Sequence, residues 1–150
     1  MNKVFIYYSL TGNGDVVADY FKKRGFDTEK VISKDKMPKN KAFRILKGGF
    51  LATMEFETDI ETPDINVKKY KEIIIGSPVW NSRITPPINA LLNELFLSEK
   101  KVTFVLYSAS GTAPKAVKKI NTLYPKSKVI VLKEPLKNKE ELKKLDVINL

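Results

Sequence analysis

The stretch Tyr8-Ser9-Leu10-Thr11-Gly12-Asn13-Gly14 decides the fold, because it stands where a strand hands over to a helix. Before it, Val4-Phe5-Ile6-Tyr7 is short, apolar and rich in β-formers, the pattern of a central strand. After it, Val16, Val17, Tyr20 and Phe21 recur at helical spacing behind Asp15, an acid suited to the positive end of a helix. A helix N-terminus presents N–H groups without intrahelical acceptors, so an anion belongs there. Ser9 and Thr11 add hydroxyl donors, and Gly12 and Gly14 let backbone approach a ligand closely. This is the chemistry of a phosphate cradle. Gly12-Asn13-Gly14-Asp15-Val16-Val17 also approaches the G-x-G-x-x-G dinucleotide fingerprint, but bulky Val17 occupies the place of the third glycine.

Outward from this junction, apolar runs alternate with helical stretches to the end of the chain. Strands are expected over Lys3–Tyr8, Glu29–Ser33, Glu72–Ser77, Val102–Ser108 and Lys128–Lys133. Helices are expected over Gly14–Arg24, about Asn40–Ala52, Pro86–Leu97, Ala113–Leu123 and Lys139–Leu145. Gly25 behind Lys22-Lys23-Arg24 marks a helix end, while Pro86-Pro87 and Pro114 suit first turns. Gly111 or Thr112 is a cap for the fourth helix and Asn138 for the last. The acidic segment from Thr53 to Asn66 reads as a loop or an extended piece. The glycine pair in Lys47-Gly48-Gly49-Phe50-Leu51 ends a helix or permits a close contact. Alternating β and α with nearly continuous apolar strands predicts an α/β three-layer sandwich, a single domain over residues 1–150 around a five-stranded parallel sheet. With right-handed crossovers and a site after the first strand, the order 2-1-3-4-5 is favoured, and ligands then bind at the carboxyl ends of the strands where the order reverses.

Three blocks carry a family resemblance. Ser9-Leu10-Thr11-Gly12-Asn13 after the first strand resembles the loop by which flavodoxins grip the phosphate of FMN, with Gly14 standing where the family usually has a further threonine. Ile75-Gly76-Ser77-Pro78-Val79-Trp80-Asn81 resembles the first loop around the flavin ring, and Tyr107-Ser108-Ala109-Ser110-Gly111 falls at the second. The resemblance spans nearly the whole chain and keeps the family's order. It implies FMN as cofactor, held by Ser9, Leu10, Thr11, Gly12, Asn13 and Gly14 at the phosphate. At the ring it implies Ser77, Pro78, Val79, Trp80 and Asn81 on one side and Ser108, Ala109, Ser110 and Gly111 on the other. Trp80, the sole tryptophan, is then expected just past a strand, stacked on the flavin. Arg83 either reaches the flavin, favouring its anionic form, or lies in solvent. Asp15 is expected to point away from the phosphate.

Composition narrows the chemistry further. Cysteine and histidine are both absent, which removes disulfides, thiolate nucleophiles, Cys/His metal sites and any catalytic triad with an imidazole base. No catalytic residue and no metal ligand is therefore assigned, and redox work falls to a cofactor. Met1-Asn2-Lys3 runs straight into a strand and no long apolar run follows, so a cytoplasmic location without membrane insertion is expected. The net charge of +10 is distinctive, since most familiar flavodoxins are acidic. Spread lysines without a nucleic-acid motif point to no nucleic acid and leave acidic redox-partner proteins as one explanation. The receiver-domain acids and the G-x-x-x-x-G-K-[ST] loop are missing. The expected function is a low-potential flavodoxin-like electron carrier. The alternatives are an NAD(P)H-dependent flavin or quinone reductase on the same fold, and a flavin-free interaction module.

Overall fold

The computed structural model describes residues 2–34, 47, 59–61 and 63–148. Along these run β1 (Lys3–Tyr7), α1 (Asn13–Lys22), β2 (Asp27–Lys30), β3 (Ile32–Ser33) and β4 (Ile60–Glu61). There follow β5 (Glu72–Trp80), β6 (Arg83–Ile84), α2 (Pro86–Glu94), β7 (Lys101–Ser108), α3 (Pro114–Leu123) and β8 (Lys128–Lys133). Short 3-10 segments lie at Val67–Lys69 and Lys139–Val147.

The main sheet runs β2-β1-β5-β7-β8, all parallel, which is the expected order 2-1-3-4-5. Alternation along each strand divides its side chains between two cores. Val4, Ile6, Ile73, Ile75, Phe104 and Leu106 pack with Ile88 and Leu91 of α2 and Ala116 and Ile120 of α3. Phe5, Tyr7, Ile74, Val105 and Tyr107 pack with Val17 and Phe21 of α1 and with Leu145 and Ile148 near the end of the chain. Burial on both faces is why these strands read as continuous apolar runs rather than as alternating ones. At the amino ends of the strands, Glu72 is buried in register with Lys3 on one side and Lys101 on the other. It pairs with them at 3.5 and 3.1 Å. Among the described residues, no helix is long and apolar enough to cross a membrane.

Helix α1 ends as its sequence announces. Gly25 takes φ 81°, its N–H bonds Lys22 O at 3.0 Å, and Phe26 N–H reaches back to Phe21 O at 3.2 Å. The rings of Phe21 and Phe26, 5.0 Å apart, supply the apolar contact that accompanies such a Schellman turn.

Four expectations need correction. The second strand stops at Lys30 rather than reaching Ser33: its register with β1 ends at Tyr7, and beyond it the Val31 N–H bonds Tyr7 O at 2.7 Å. Ile32–Ser33 then pairs antiparallel with Ile60–Glu61, so part of the acidic segment is a strand. The third strand continues past Ser77 to Trp80, because Asn81 (φ 49°) and Ser82 (φ 61°) fold the chain back and let Arg83–Ile84 pair with Val79–Trp80. Two successive left-handed residues make this a tight hairpin whose twist suits its strands. Trp80 is therefore the last residue of a strand and not part of a free loop. The final helix is 3-10 throughout, with only Leu145 buried. The expected caps at Gly111 or Thr112 give way to Ala113, whereas Pro86, Pro87 and Pro114 open their helices as expected. The helix expected over Asn40–Ala52, with its glycine pair, lies outside the described residues apart from Lys47.

Candidate functional site

Parallel pairing brings the three expected blocks to one end of the sheet. Tyr7 is opposite Gly76, and Pro78 is opposite Tyr107, so the chain leaves β1, β5 and β7 side by side at their carboxyl ends. Tyr8 ties the blocks together. Its N–H donates to Gly76 O at 3.1 Å, its carbonyl accepts the buried Tyr107 hydroxyl, and its ring meets Trp80 edge-on at 6.1 Å and 82°.

The first block forms a tight turn capped by its own residues. Gly12 is the N-cap of α1 at φ 97°, a left-handed conformation open to glycine, and Val16 N–H bonds its carbonyl at 3.1 Å. Ser9 is buried, and its hydroxyl accepts the N–H of Gly14 at 3.1 Å, which takes that donor out of reach of a ligand. A Cβ on Gly14 would lie 2.5 Å from Tyr107 Oη, 2.8 Å from Ser9 Cβ and 2.9 Å from Tyr7 Cδ2, so no larger residue fits. Leu10 packs against the core, while Thr11 is exposed and its hydroxyl accepts from Asn13 Nδ2 at 3.4 Å. Asn13 Oδ1 accepts the N–H of Leu136 at 3.0 Å, which seats the segment after β8 beside the turn.

Asp15 does not disturb this anion-suited turn. Its Oδ1 accepts Lys30 Nζ at 2.8 Å and the Tyr7 hydroxyl at 3.1 Å. Partial burial pushes its carboxyl up, but the bonds from Lys30 and Tyr7 and the lysine charge outweigh that and hold it below the ordinary range. Burial, then the bond to Asp15, pushes the Tyr7 phenol well up. Burial does the same to Tyr107. Both phenols are neutral hydrogen-bonding groups at neutral pH.

In the second block Ser77 is fully buried, its hydroxyl donating to Pro78 O at 2.8 Å and accepting Thr85 N–H at 3.1 Å. Its side chain braces the hairpin. Pro78, Val79 and Trp80 are half-buried and Asn81 is exposed at the tip. Ser82, which the motif reading left out, fixes the tip: its carbonyl accepts Ala116 N–H at 2.8 Å and its hydroxyl accepts Lys115 N–H at 3.2 Å. The only sequence signal for this was a hydroxyl between an asparagine and a strand-like pair. In the third block Ser108 Oγ donates to Thr112 O at 2.7 Å and accepts Ser110 N–H at 3.2 Å. Ala109 and Ser110 are exposed, and Gly111 turns the chain at φ 80°.

No protein-family model matches the sequence, and no curated protein does. Solved structures match throughout. A candidate flavoprotein from Bacteroides eggerthii is 20% identical with a TM-score of 0.78, the alignment covering 99% of this chain and 98% of that one. The fold is flavodoxin-like. A flavoprotein from Lactobacillus acidophilus, crystallised in complex with FMN, is 20% identical with a TM-score of 0.68 over 93% of this chain and 97% of its own. A candidate flavoprotein from Bacteroides uniformis is 19% identical with a TM-score of 0.67 over 85% and 86%. At these identities the likeness is one of architecture, and the flavodoxin-like sheet places its switch point between β1 and β5, where the three blocks meet.

Proposed function

We propose that this protein binds FMN at the carboxyl end of its sheet and carries electrons between partner proteins. One observation carries the reading: the glycine turn at the start of α1, the Trp80 strand end and the hydroxyl-braced Ser108–Gly111 turn leave three adjacent parallel strands. The residues fit the cofactor. A left-handed glycine N-cap, an exposed threonine hydroxyl and the first-turn N–H groups of α1 other than that of Gly14 suit a phosphate, and the carboxylate of Asp15 is already paired with Lys30. Trp80, backed edge-on by the buried ring of Tyr8, offers aromatic surface beside it, and the small residues Ala109, Ser110 and Gly111 let backbone amides approach a planar ring. The presence of FMN in the Lactobacillus acidophilus structure of the same architecture supports the same ligand here.

Bound FMN would supply the electron chemistry through its isoalloxazine ring. The chain's own residues then bind, orient and shield. Tyr7 and Tyr107 stay protonated, and Asp15 is held as an anion by Lys30, so these three groups are not poised to exchange protons with a substrate. An NAD(P)H-dependent reductase on the same fold is the second reading, and kinetics separate the two. Location in the cytoplasm and acidic protein partners belong to the same proposal.

Visible absorption of the purified protein, followed by titration with FMN and riboflavin, tests it. Flavin bands with FMN strongly preferred would establish that the Ser9–Gly14 turn reads a phosphate. Rapid reduction by a separate reductase, with little direct oxidation of NAD(P)H, would support the carrier, while steady NAD(P)H turnover would make the protein a reductase. A colourless protein indifferent to FMN would leave a flavin-free interaction module.

A further inference from the structure

A cleft of about 360 Å³ lies between β6, α2 and α3, beside the hairpin but outside the three blocks. Its polar lining is Arg83, Asn89, Lys115, Lys118, Lys119 and Thr122. On α3 the residues at 115, 118, 119 and 122 follow helical spacing and share one face, while Ala116 and Ile120 turn into the core. Four cationic side chains thus converge, with no acid lining the cleft among the described residues. Asn89 is mostly buried, and its Oδ1 accepts Lys119 Nζ at 3.3 Å, which holds that ammonium at the rim.

Arg83 makes this more than a basic patch. Its Nη1 is buried and has no hydrogen-bond partner among the described residues. Buried charged donors are nearly always paired, so an orphaned guanidinium nitrogen in a cleft calls for an acceptor from outside the chain. Its neighbours fix the strand it sits on: Trp80 pairs with it across the hairpin, and Ser82 is bonded to α3 on the other side. The guanidinium is therefore presented from a braced backbone.

We propose that this cleft binds a phosphate monoester of a small organic molecule. Donors arrive from a strand and two helices, and a tetrahedral dianion offers more acceptors in more directions than a planar carboxylate. The volume falls within the range of about 300–1,000 Å³ usual for small-ligand sites. Ile84, Ala116 and the exposed Leu123 line the remainder and give an apolar surface for the organic part. The inference does not depend on the flavin reading, because none of the cleft residues belongs to the three blocks.

A titration of the ¹⁵N-labelled protein with phenyl phosphate, followed by NMR, tests it, with benzoate as the carboxylate counterpart. Saturable shifts are expected at the amides of Ile84, Ala116 and Lys119, with benzoate clearly weaker. Arg83→Gln should weaken phenyl phosphate about tenfold or more, the loss of one charge-assisted hydrogen bond. Lys118→Gln, whose side chain is exposed and not packed, should weaken it by less while leaving the fold's spectrum intact. Shifts confined to Gly12, Asn13 and Gly14 would put phosphate in the α1 turn and overturn the proposal. Benzoate binding as tightly would overturn it too, pointing to carboxylates such as those of an acidic partner, and so would equal affinity in Arg83→Gln.

Discussion

Two turns at the same end of the sheet solve the same backbone problem in opposite ways. At the start of α1 the left-handed residue is glycine, and the next glycine is packed on every side by Tyr107, Ser9 and Tyr7. At the tip of the β5–β6 hairpin the left-handed residues are Asn81 and Ser82, which carry side chains, and the turn is held from outside by α3. The first turn is constrained by lack of space. The second is constrained by its hydrogen bonds and tolerates the conformational cost of non-glycine residues.

The sharpest way to break this contrast is Gly14→Ala. It should cost about 1–3 kcal/mol by overpacking, read as a lower midpoint in chemical denaturation. In a Tyr107→Phe background the penalty should shrink, because the closest atom is gone, yet persist, because Ser9 Cβ and the Tyr7 ring remain within 2.9 Å. Strict additivity of the two changes would show that the Tyr107 hydroxyl is not what excludes a side chain there. At the hairpin, Ser82→Ala should cost about 1 kcal/mol through the lost bond to Lys115 N–H. Ser82→Gly should cost less, since relief of left-handed strain of roughly 1 kcal/mol offsets that loss. Equal losses would mean that the strain is not real.

The smallest effect concerns Asp15. Its carboxyl is held below the ordinary value in the folded chain, so its contribution is complete above about pH 3.9 and fades as pH falls through the lower folded value. Asp15→Asn should flatten that part of the acid stability profile and lower stability at neutral pH by the same amount, a small one because the group is partly exposed. An unaltered acid slope would mean that Lys30 and Tyr7 do not hold the charge.

The sequence disclosed the parallel strands and the first turn because both rest on local rules. Apolar runs such as Val4-Phe5-Ile6-Tyr7 are buried from both sides, and the hydroxyl–glycine pattern sits directly between strand and helix. The hairpin was hidden. Its left-handed pair is Asn81-Ser82 rather than Asn-Gly, so the usual turn signal was missing and Trp80 read as loop. A bracing bond of Ser77 was hidden for a related reason: its partner Thr85 belongs to a segment that returns only because of the hairpin. Residues such as Arg83 and Asn89, distant from any motif, become a group only once α2 and α3 lie on one side of the sheet.

The buried Glu72 at the far end of the sheet acts as a depth gauge for all of this. One acid shared by Lys3 and Lys101 marks where three neighbouring strands begin in register, a register held by their backbone ladders and the two cores. A slip of one residue between any two would raise one turn by about 3.3 Å at the other end and swap its strand's faces. The level of the rim on which a ligand would rest can therefore be read a full strand length away from it.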